Sequence, residues 1–150
     1  MSVEPWDLPL NNESDPNISP AALDQVHRNH AARARLAAEF GLLTAEEVVA
    51  AGGPSPEEGA LITVPTRFGV RYPGYQFDAH GRLHPVITDV LAAFEGRMSQ
   101  WQVALWFLGA YGGLGDMRPV DLLDGSPEDL AAVIEEARYE AAEIIVLPGD

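Results

Sequence analysis

Acidic and imidazole side chains between residues 78 and 89 are the first candidates for chemistry, because these types bind metals and move protons. They are Asp78, His80, His84 and Asp89. A helical metal site would place two ligands four residues apart on one continuous helix. Gly81 and Pro85 interrupt such a helix. We therefore favour solvent-facing side chains around a turn and predict no bound metal. A metal-dependent enzyme using Asp78, His80 and His84 stays as a third hypothesis.

Serine hydroxyls are the next candidates, and none has the surroundings of a catalytic nucleophile. Four of them stand where a hydroxyl would cap a helix: Ser19, Ser55, Ser99 and Ser126. No Ser, His and Asp set is recognisable. The sequence shows no apolar neighbours around the adjacent carboxylates Glu135 and Glu136 that would make one a general acid and the other a base. The sequence therefore predicts a protein that is not an enzyme and carries no cofactor.

Composition limits the kinds of partner that the protein can bind. The chain has 150 residues, 47% of them hydrophobic, which is enough for one domain with an ordinary core. Asp and Glu number 23 against 9 Lys and Arg, for a net charge of −14, and all nine basic residues are Arg. Such a surface repels phosphate backbones and anionic membranes, and suits a basic partner. Cysteine is absent and no apolar run approaches bilayer length, so we expect a soluble cytoplasmic protein.

The charge is unevenly distributed along the chain. Residues 21–82 carry seven acids and six Arg, a net −1, whereas residues 83–150 carry twelve acids and three Arg, a net −9. The first 19 residues contain three prolines and no apolar period. We therefore predict a flexible arm over residues 1–19, a degenerate helix-turn-helix-like or dimerisation region over 20–82, and a helical domain over 83–150.

The N-terminal region reads as two helices and a hairpin. Ser19-Pro20 opens a helix to about residue 39, which Gly41 ends. Its apolar stripe is predicted to hold Leu23, Val26, His30, Ala34 and Ala37, with His27 and His30 partly buried. A capping box at Thr44 and Glu47 starts a second helix over residues 45–51. Residues 61–64 and 70–72 have the composition of a small β-hairpin.

From His84 onward the pattern is helical. Pro85 opens one helix, and Ser99 caps another, to about Leu108, that is apolar all round and must be surrounded. A short helix is predicted from Arg118 to Leu123, and Ser126 caps a long one to about residue 144. The predicted fold is mainly α, with a helical bundle-like C-terminal domain, an N-terminal degenerate helix-turn-helix region and a small β-hairpin.

Arginines in the N-terminal half raise the possibility of DNA binding. A helix, a capped helix, a turn and a hairpin would form a winged helix-turn-helix, with five Arg available for phosphates: Arg28, Arg33, Arg35, Arg67 and Arg71. The recognition helix should follow Gly53, but two prolines and two acids occupy the next five positions. This segment is therefore not expected to form a recognition helix, and a winged transcriptional regulator is kept as the alternative function.

Four stretches of this sequence resemble the Xre/MbcA/ParS group of antitoxins. They are Phe40-Gly41-Leu42-Leu43-Thr44-Ala45-Glu46-Glu47-Val48, Arg71-Tyr72-Pro73-Gly74-Tyr75-Gln76-Phe77-Asp78, Trp101 with Trp106-Phe107-Leu108, and Arg118-Pro119-Val120-Asp121-Leu122-Leu123. The resemblance covers roughly residues 25–142 in order. Members of that group are partners of RES-domain toxins, which consume NAD.

The resemblance implies an N-terminal region that dimerises and a helical C-terminal region that covers the active site of the toxin. A pocket that degrades NAD should be basic to hold pyrophosphate, so the acidic region fits it. We therefore expect a type II antitoxin that occludes a RES-domain toxin as a homodimer within a hetero-oligomeric complex. The predicted toxin-binding residues are Arg118, Pro119, Asp121, Leu122, Leu123, Glu135, Glu136, Tyr139 and Glu143.

Overall fold

The computed structural model describes residues 19–55 and 61–144. These residues form five α-helices: α1 Pro20–Phe40, α2 Ala45–Ala50, α3 Pro85–Phe94, α4 Gln100–Trp106 and α5 Pro127–Glu143. They also form three strands: β1 Leu42–Leu43, β2 Val64–Thr66 and β3 Gly69–Pro73. The predicted mainly α fold with a small β-hairpin is thus confirmed. The predicted arm, except for Ser19, lies outside the described residues, as do residues 56–60 and 145–150.

The helices begin where their capping residues predict. The Ser19 hydroxyl accepts a hydrogen bond from the Ala22 N–H. Reciprocal capping boxes open α2, α4 and α5, at Thr44, Ser99 and Ser126 respectively. Helix ends were predicted less well, because α4 stops at Trp106 and the helix expected after Arg118 is a 3₁₀ turn over Pro119–Leu122. A helix start depends on capping residues close in the sequence and can be predicted from them, whereas the last turn of a helix depends on packing.

The sheet differs from the predicted hairpin in two ways. A third strand, β1, pairs antiparallel with β3, so the strand order is β1-β3-β2. The first strand of the hairpin begins at Val64 rather than at residue 61. The reason is that Ile62 bonds to a side chain instead of a strand: its N–H and C=O both meet the Gln76 amide, at 2.8 and 2.9 Å.

The larger hydrophobic core takes residues from both predicted regions, 20–82 and 83–150. Leu36 on α1 and Ile62 share it with Phe94 on α3, Phe107 after α4 and Val133 on α5, all of them fully buried. The Trp106 ring contacts Phe94, Phe107 and Tyr111 at centroid distances of 5.1 to 5.3 Å. The helix predicted to be apolar all round is therefore surrounded by this fold itself.

The predicted stripe on α1 is wrong in part. His27 and His30 are exposed, and Leu36, which was not in the stripe, is the buried residue of the helix. The packing face includes Arg33, whose guanidinium lies 4.6 Å from the centroid of the Trp101 ring. A hydrophobicity pattern counts arginine as polar and misses a cation–π contact of this kind. Within residues 19–55 and 61–144, no helix has both the length and the apolar character needed to cross a bilayer.

Candidate protein-interaction surface

The segment from Arg118 to Leu123 begins with an intramolecular network. Arg118 Nη1 and Nη2 donate to the two carboxylate oxygens of Glu39, at 3.0 and 2.7 Å. Its Nε and Nη2 donate to Asp121, at 2.8 and 3.0 Å. Hydrogen bonding to Arg118 holds the pKa of Glu39 and that of Asp121 below their usual ranges, and these partners raise the pKa of Arg118. Two predicted contact residues therefore already have partners inside the fold.

The apolar members of the same segment are also engaged in packing. Pro119 is fully buried and Leu123 is buried, while Leu122 is half-buried against the main core. The Val120 N–H donates to the carbonyl of Phe107 at 3.0 Å, which anchors the 3₁₀ turn beneath α4. The segment as a whole supports the fold, and little of its apolar surface is available to another protein.

Helix α5 presents the remaining predicted residues differently. Its inner face holds Val133, Ala137 and Ala141, all of them buried. Glu135, Tyr139 and Glu143 are exposed, and their spacing of four residues places them along one line of the helix. The Tyr139 side chain is 64% exposed, the largest exposure among the big apolar residues described. We name Glu135, Tyr139 and Glu143 the acidic row.

Glu136 lies at the inner border of the acidic row. It is half-buried, and its carboxylate sits so close to Gly113 that a Cβ at that position would meet it. Tyr111 lies behind, with its ring stacked on Trp106 at 5.3 Å and its hydroxyl donating to the Trp106 carbonyl at 2.9 Å. Burial raises the pKa of Tyr111, and the charges of Glu140 and Glu136 raise it further. The tyrosine thus stays neutral while the carboxylates keep the surface negative.

The predicted DNA-binding arginines are distributed over two elements. Arg28 and Arg35 are exposed on α1, and Arg28 donates to Gln25 at 2.7 Å. Arg67 is exposed at the hairpin turn, and Arg71 on β3 donates to the Val70 carbonyl at 2.9 Å. In the described part of the chain, no α-helix lies between α2 and α3, so a recognition helix is not seen there. Residues 56–60 lie outside that part.

The acidic and imidazole side chains from residue 78 onward form turn contacts. Asp78 accepts hydrogen bonds from the backbone N–H groups of His80 and Arg82, at 2.8 and 3.0 Å, and these bonds lower its pKa. His84 Nε2 lies 3.7 Å from the carboxylate of Asp124, away from that turn. Over residues 19–55 and 61–144, no three metal-binding side chains are grouped to hold an ion.

The stretch from Arg71 to Asp78, one of the four that carry the resemblance, has a structural role that the sequence did not reveal. The Tyr75 hydroxyl donates to the Ala104 carbonyl at 2.7 Å, deep in the core. The Gln76 side chain is fully buried and bonds to Ile62 and, at 3.0 Å, to the Pro73 carbonyl. Gly74 passes so close to the Phe40 carbonyl that a Cβ would clash. The one available signal was a glutamine within an otherwise aromatic and apolar run.

Of the predicted contact residues, those of the acidic row are therefore exposed and do not pack in the core. Comparisons of the chain with protein-family models, with curated proteins and with solved structures found no match.

Proposed function

We propose that this chain is the antitoxin of a type II toxin-antitoxin system, which binds a RES-domain NAD-degrading toxin and neutralises it by occluding its active site. The chain itself catalyses nothing in this proposal. The observation that supports it best is the acidic row, in which a tyrosine that is 64% exposed stands between two exposed carboxylates. The resemblance of the four sequence stretches to Xre/MbcA/ParS antitoxins supplies the partner class.

The chemistry of the acidic row suits a basic cavity. Helix α5 carries six Asp and Glu against one Arg. A site that binds the pyrophosphate of NAD needs positive charge, so these carboxylates would speed encounter and fix orientation. Affinity would come mainly from a desolvated aromatic anchor, and Tyr139 is the exposed residue of that type on α5.

The Arg118 network has a supporting role in this proposal. It ties Glu39 at the end of α1 to the turn that precedes α5, and thereby holds the acidic row on a fixed frame. Pro119, Leu122 and Leu123 contribute packing rather than contact area. Binding surfaces set on rigid elements lose less entropy when they associate.

The experiment measures NAD consumption by a purified RES-domain toxin in the presence of this chain. The wild-type antitoxin should reduce consumption to background near equimolar ratio. Tyr139→Ala combined with Glu135→Arg should weaken inhibition by at least about tenfold, which corresponds to about 1.4 kcal/mol. A matched control reverses the exposed Asp89 on α3 instead. Deleting residues 118–150 is a poorer test, because it removes Val133 and Ala137 from the core. No inhibition by excess wild-type protein would reject the proposal.

We also propose a homodimer within the hetero-oligomeric complex, as the resemblance implies. Light scattering on the isolated chain should then give twice the monomer mass of 16.2 kDa. A monomeric mass at micromolar concentration would reject the dimer and leave toxin binding to be judged separately.

The alternative function, a winged transcriptional regulator, is favoured by one observation at the hairpin. Phe68 and Val70 are 61% and 48% exposed, next to Arg67 and Arg71. Such a tip could contact a DNA backbone and groove. Binding to the DNA upstream of its own gene, with a steep loss of affinity as salt rises, would support this function. Absence of binding at low salt would exclude it.

A further inference from the structure

A groove of about 430 Å³ lies between α3, the start of α4 and residues 61–63. Its lining is mostly apolar, and includes the buried side chains of Phe94 and Val103 and the half-buried side chains of Leu91 and Met98. Protein clefts that bind ligands usually have volumes of about 300–1,000 Å³. The groove is therefore large enough to take apolar side chains from a partner.

Backbone groups at one border of the groove have no partner within residues 19–55 and 61–144. The N–H and the carbonyl of Ile62 both bond to the Gln76 amide, at 2.8 and 2.9 Å. The next residue, Thr63, lines the groove, and its backbone N–H and carbonyl make no hydrogen bond in that part of the chain. A main chain that lies along this border can bond to both groups, as an added strand does.

The open border is short. Pro65 has no backbone N–H, and its carbonyl already accepts a hydrogen bond from Trp101 Nε1 at 2.9 Å. On the other side of Thr63, the backbone groups of Ile62 are bonded to Gln76. A bound main chain can therefore pair at Thr63 alone, which fits a short extended segment better than a long added strand.

One end of the groove carries negative charge without a counter-ion. Of the lining residues that the structure describes, Glu95 alone is charged, and its exposed carboxylate has no partner in the described part of the chain. Glu95 directly follows α3, whose last turn contains no basic residue. Arg97 is close in the sequence, but its guanidinium donates to the carbonyls of Ala141 and Ile144, at 2.9 and 3.5 Å. Since the end of a helix adds partial negative charge, a cationic group is favoured here.

We propose that this groove binds a short extended segment of another protein, one that combines bulky apolar side chains with a lysine or arginine. The apolar side chains enter the groove, the main chain bonds to Thr63, and the cation pairs with Glu95. The net charge of −14 favours a basic partner in the same sense. The groove shares no lining residue with the acidic row, so this proposal goes beyond the proposed function and either can fail alone.

A labelled peptide titrated against the full chain tests the proposal. The probe is a fluorescein-labelled heptapeptide in which two leucines and one lysine alternate with serines, so that the three side chains share one face. Its matched probe carries glutamate in place of the lysine. In fluorescence anisotropy at low salt, we expect the lysine probe to bind at least about ten times more tightly than the glutamate probe. Equal affinity, or no binding of the lysine probe at millimolar protein, would overturn the proposal.

Two variants of the groove and one control locate the site. Glu95→Gln should weaken binding of the lysine probe by about threefold, because it removes an exposed ion pair. Ala92→Trp, at an exposed position of the lining, should abolish binding by filling the groove and should leave the far-UV spectrum unchanged. The control, Asp89→Asn, removes an exposed charge of α3 outside the lining and should leave the affinity unchanged. An equal loss for Glu95→Gln and Asp89→Asn, or undiminished binding by Ala92→Trp, would contradict the proposed site.

Amide NMR signals distinguish this groove from the acidic row and from self-association. The lysine probe should shift the signals of Thr63 and Leu91 and leave those of Glu135 and Tyr139 in place. Shifts confined to the acidic row would overturn the groove proposal and leave the proposed function to be tested by itself. Shifts of the groove signals when the chain is concentrated without probe would assign the groove to a second copy, and would likewise overturn the proposal.

Discussion

The guanidinium of Arg118 donates hydrogen bonds to both carboxylate oxygens of Glu39, at 3.0 and 2.7 Å, although the two residues are 79 positions apart in the sequence. The same guanidinium also binds Asp121, and it lies 5.9 Å from the centroid of the Phe40 ring. One side chain thus joins the end of α1 to the turn that leads into α5. Charged residues that the sequence suggests for binding another protein can instead form hydrogen bonds within the fold.

We predict that Arg118→Met lowers the melting temperature at pH 7. The reason is that Glu39 and Asp121 lose the partner that depresses their pKa values. Arg118→Lys should recover only part of the loss, because an ammonium cannot make the two-pronged contact. Thermal unfolding followed by circular dichroism measures both. Because the ion pair is partly solvent-exposed, the effect should be smaller than that of a core substitution.

The same pair predicts a pH dependence with a definite sign. A carboxylate whose pKa is lowered by folding contributes stability above its unfolded pKa, and this contribution is lost as pH falls through the folded value. The stability difference between wild type and Arg118→Met should therefore be full at neutral pH and shrink below about pH 4. A difference that grows on acidification would contradict the assigned network.

We predict a large loss of stability for Gln76→Leu. The substitution leaves the Ile62 N–H and the Ile62 and Pro73 carbonyls without their partner inside the core. Unsatisfied buried polar groups cost about 1–3 kcal/mol each, so a total near 3 kcal/mol or more is expected in urea unfolding. The control is Gln25→Leu on the exposed side of α1, which should change stability by less than about 0.5 kcal/mol. Similar losses for the two variants would show that the Gln76 contacts contribute little.

The elements of this fold that could be predicted from sequence are those with local causes. Two helix starts could be predicted because their capping boxes join residues only three positions apart. These are Thr44 with Glu47, and Ser99 with Gln102. Strand β1 has only two residues, Leu42 and Leu43, and exists because β3 returns to pair with it. A pairing between positions about thirty apart leaves no periodic signal in so short a strand.

The contact surface was predicted less completely for a related reason. The pattern of Pro119, Leu122 and Leu123 fits a helix start, a core position and an interface equally well, and only their burial separates these possibilities. In the sequence, Asp121 resembles an ordinary surface charge. In the structure it binds Arg118, which also binds Glu39, a residue 79 positions away in the sequence. The exposure of Tyr139 and Glu143 could be predicted, because the apolar residues on the inner face of α5 fix which residues lie on its outer face.

We predict that Gly74→Ala is far more damaging than Gly112→Ala. At Gly74 a Cβ would collide with the backbone carbonyl of Phe40, and the Gly74 N–H is bonded to Gly41 at 3.1 Å, so the backbone cannot easily yield. At Gly112 a Cβ meets nothing within 4 Å. Gly74→Ala should cost about 1–3 kcal/mol, the size seen for overpacked cores. Gly112→Ala should be near neutral, and comparable urea midpoints for the two variants would contradict this placement.

The last prediction follows from the proposed function and concerns the rate at which the acidic row would bind a RES-domain toxin. Glu135→Gln with Glu143→Gln removes two charges and keeps the size and polarity of both side chains. At low salt this variant should bind the RES-domain toxin several-fold more slowly, with little change in dissociation rate, because exposed charges steer encounter. Near 1 M salt, where the screening length is about 3 Å, the difference should vanish.

A matched variant, Glu46→Gln with Asp89→Asn, removes two exposed charges from α2 and α3 instead. It changes the net charge equally, so any effect common to both pairs reports total charge and not location. Tyr139→Ala should show the opposite kinetic signature, a faster dissociation at every salt concentration, because it removes buried apolar contact. Stopped-flow measurements on the three variants separate these contributions. If both charge pairs slow association equally, the acidic row is not the surface that meets the toxin.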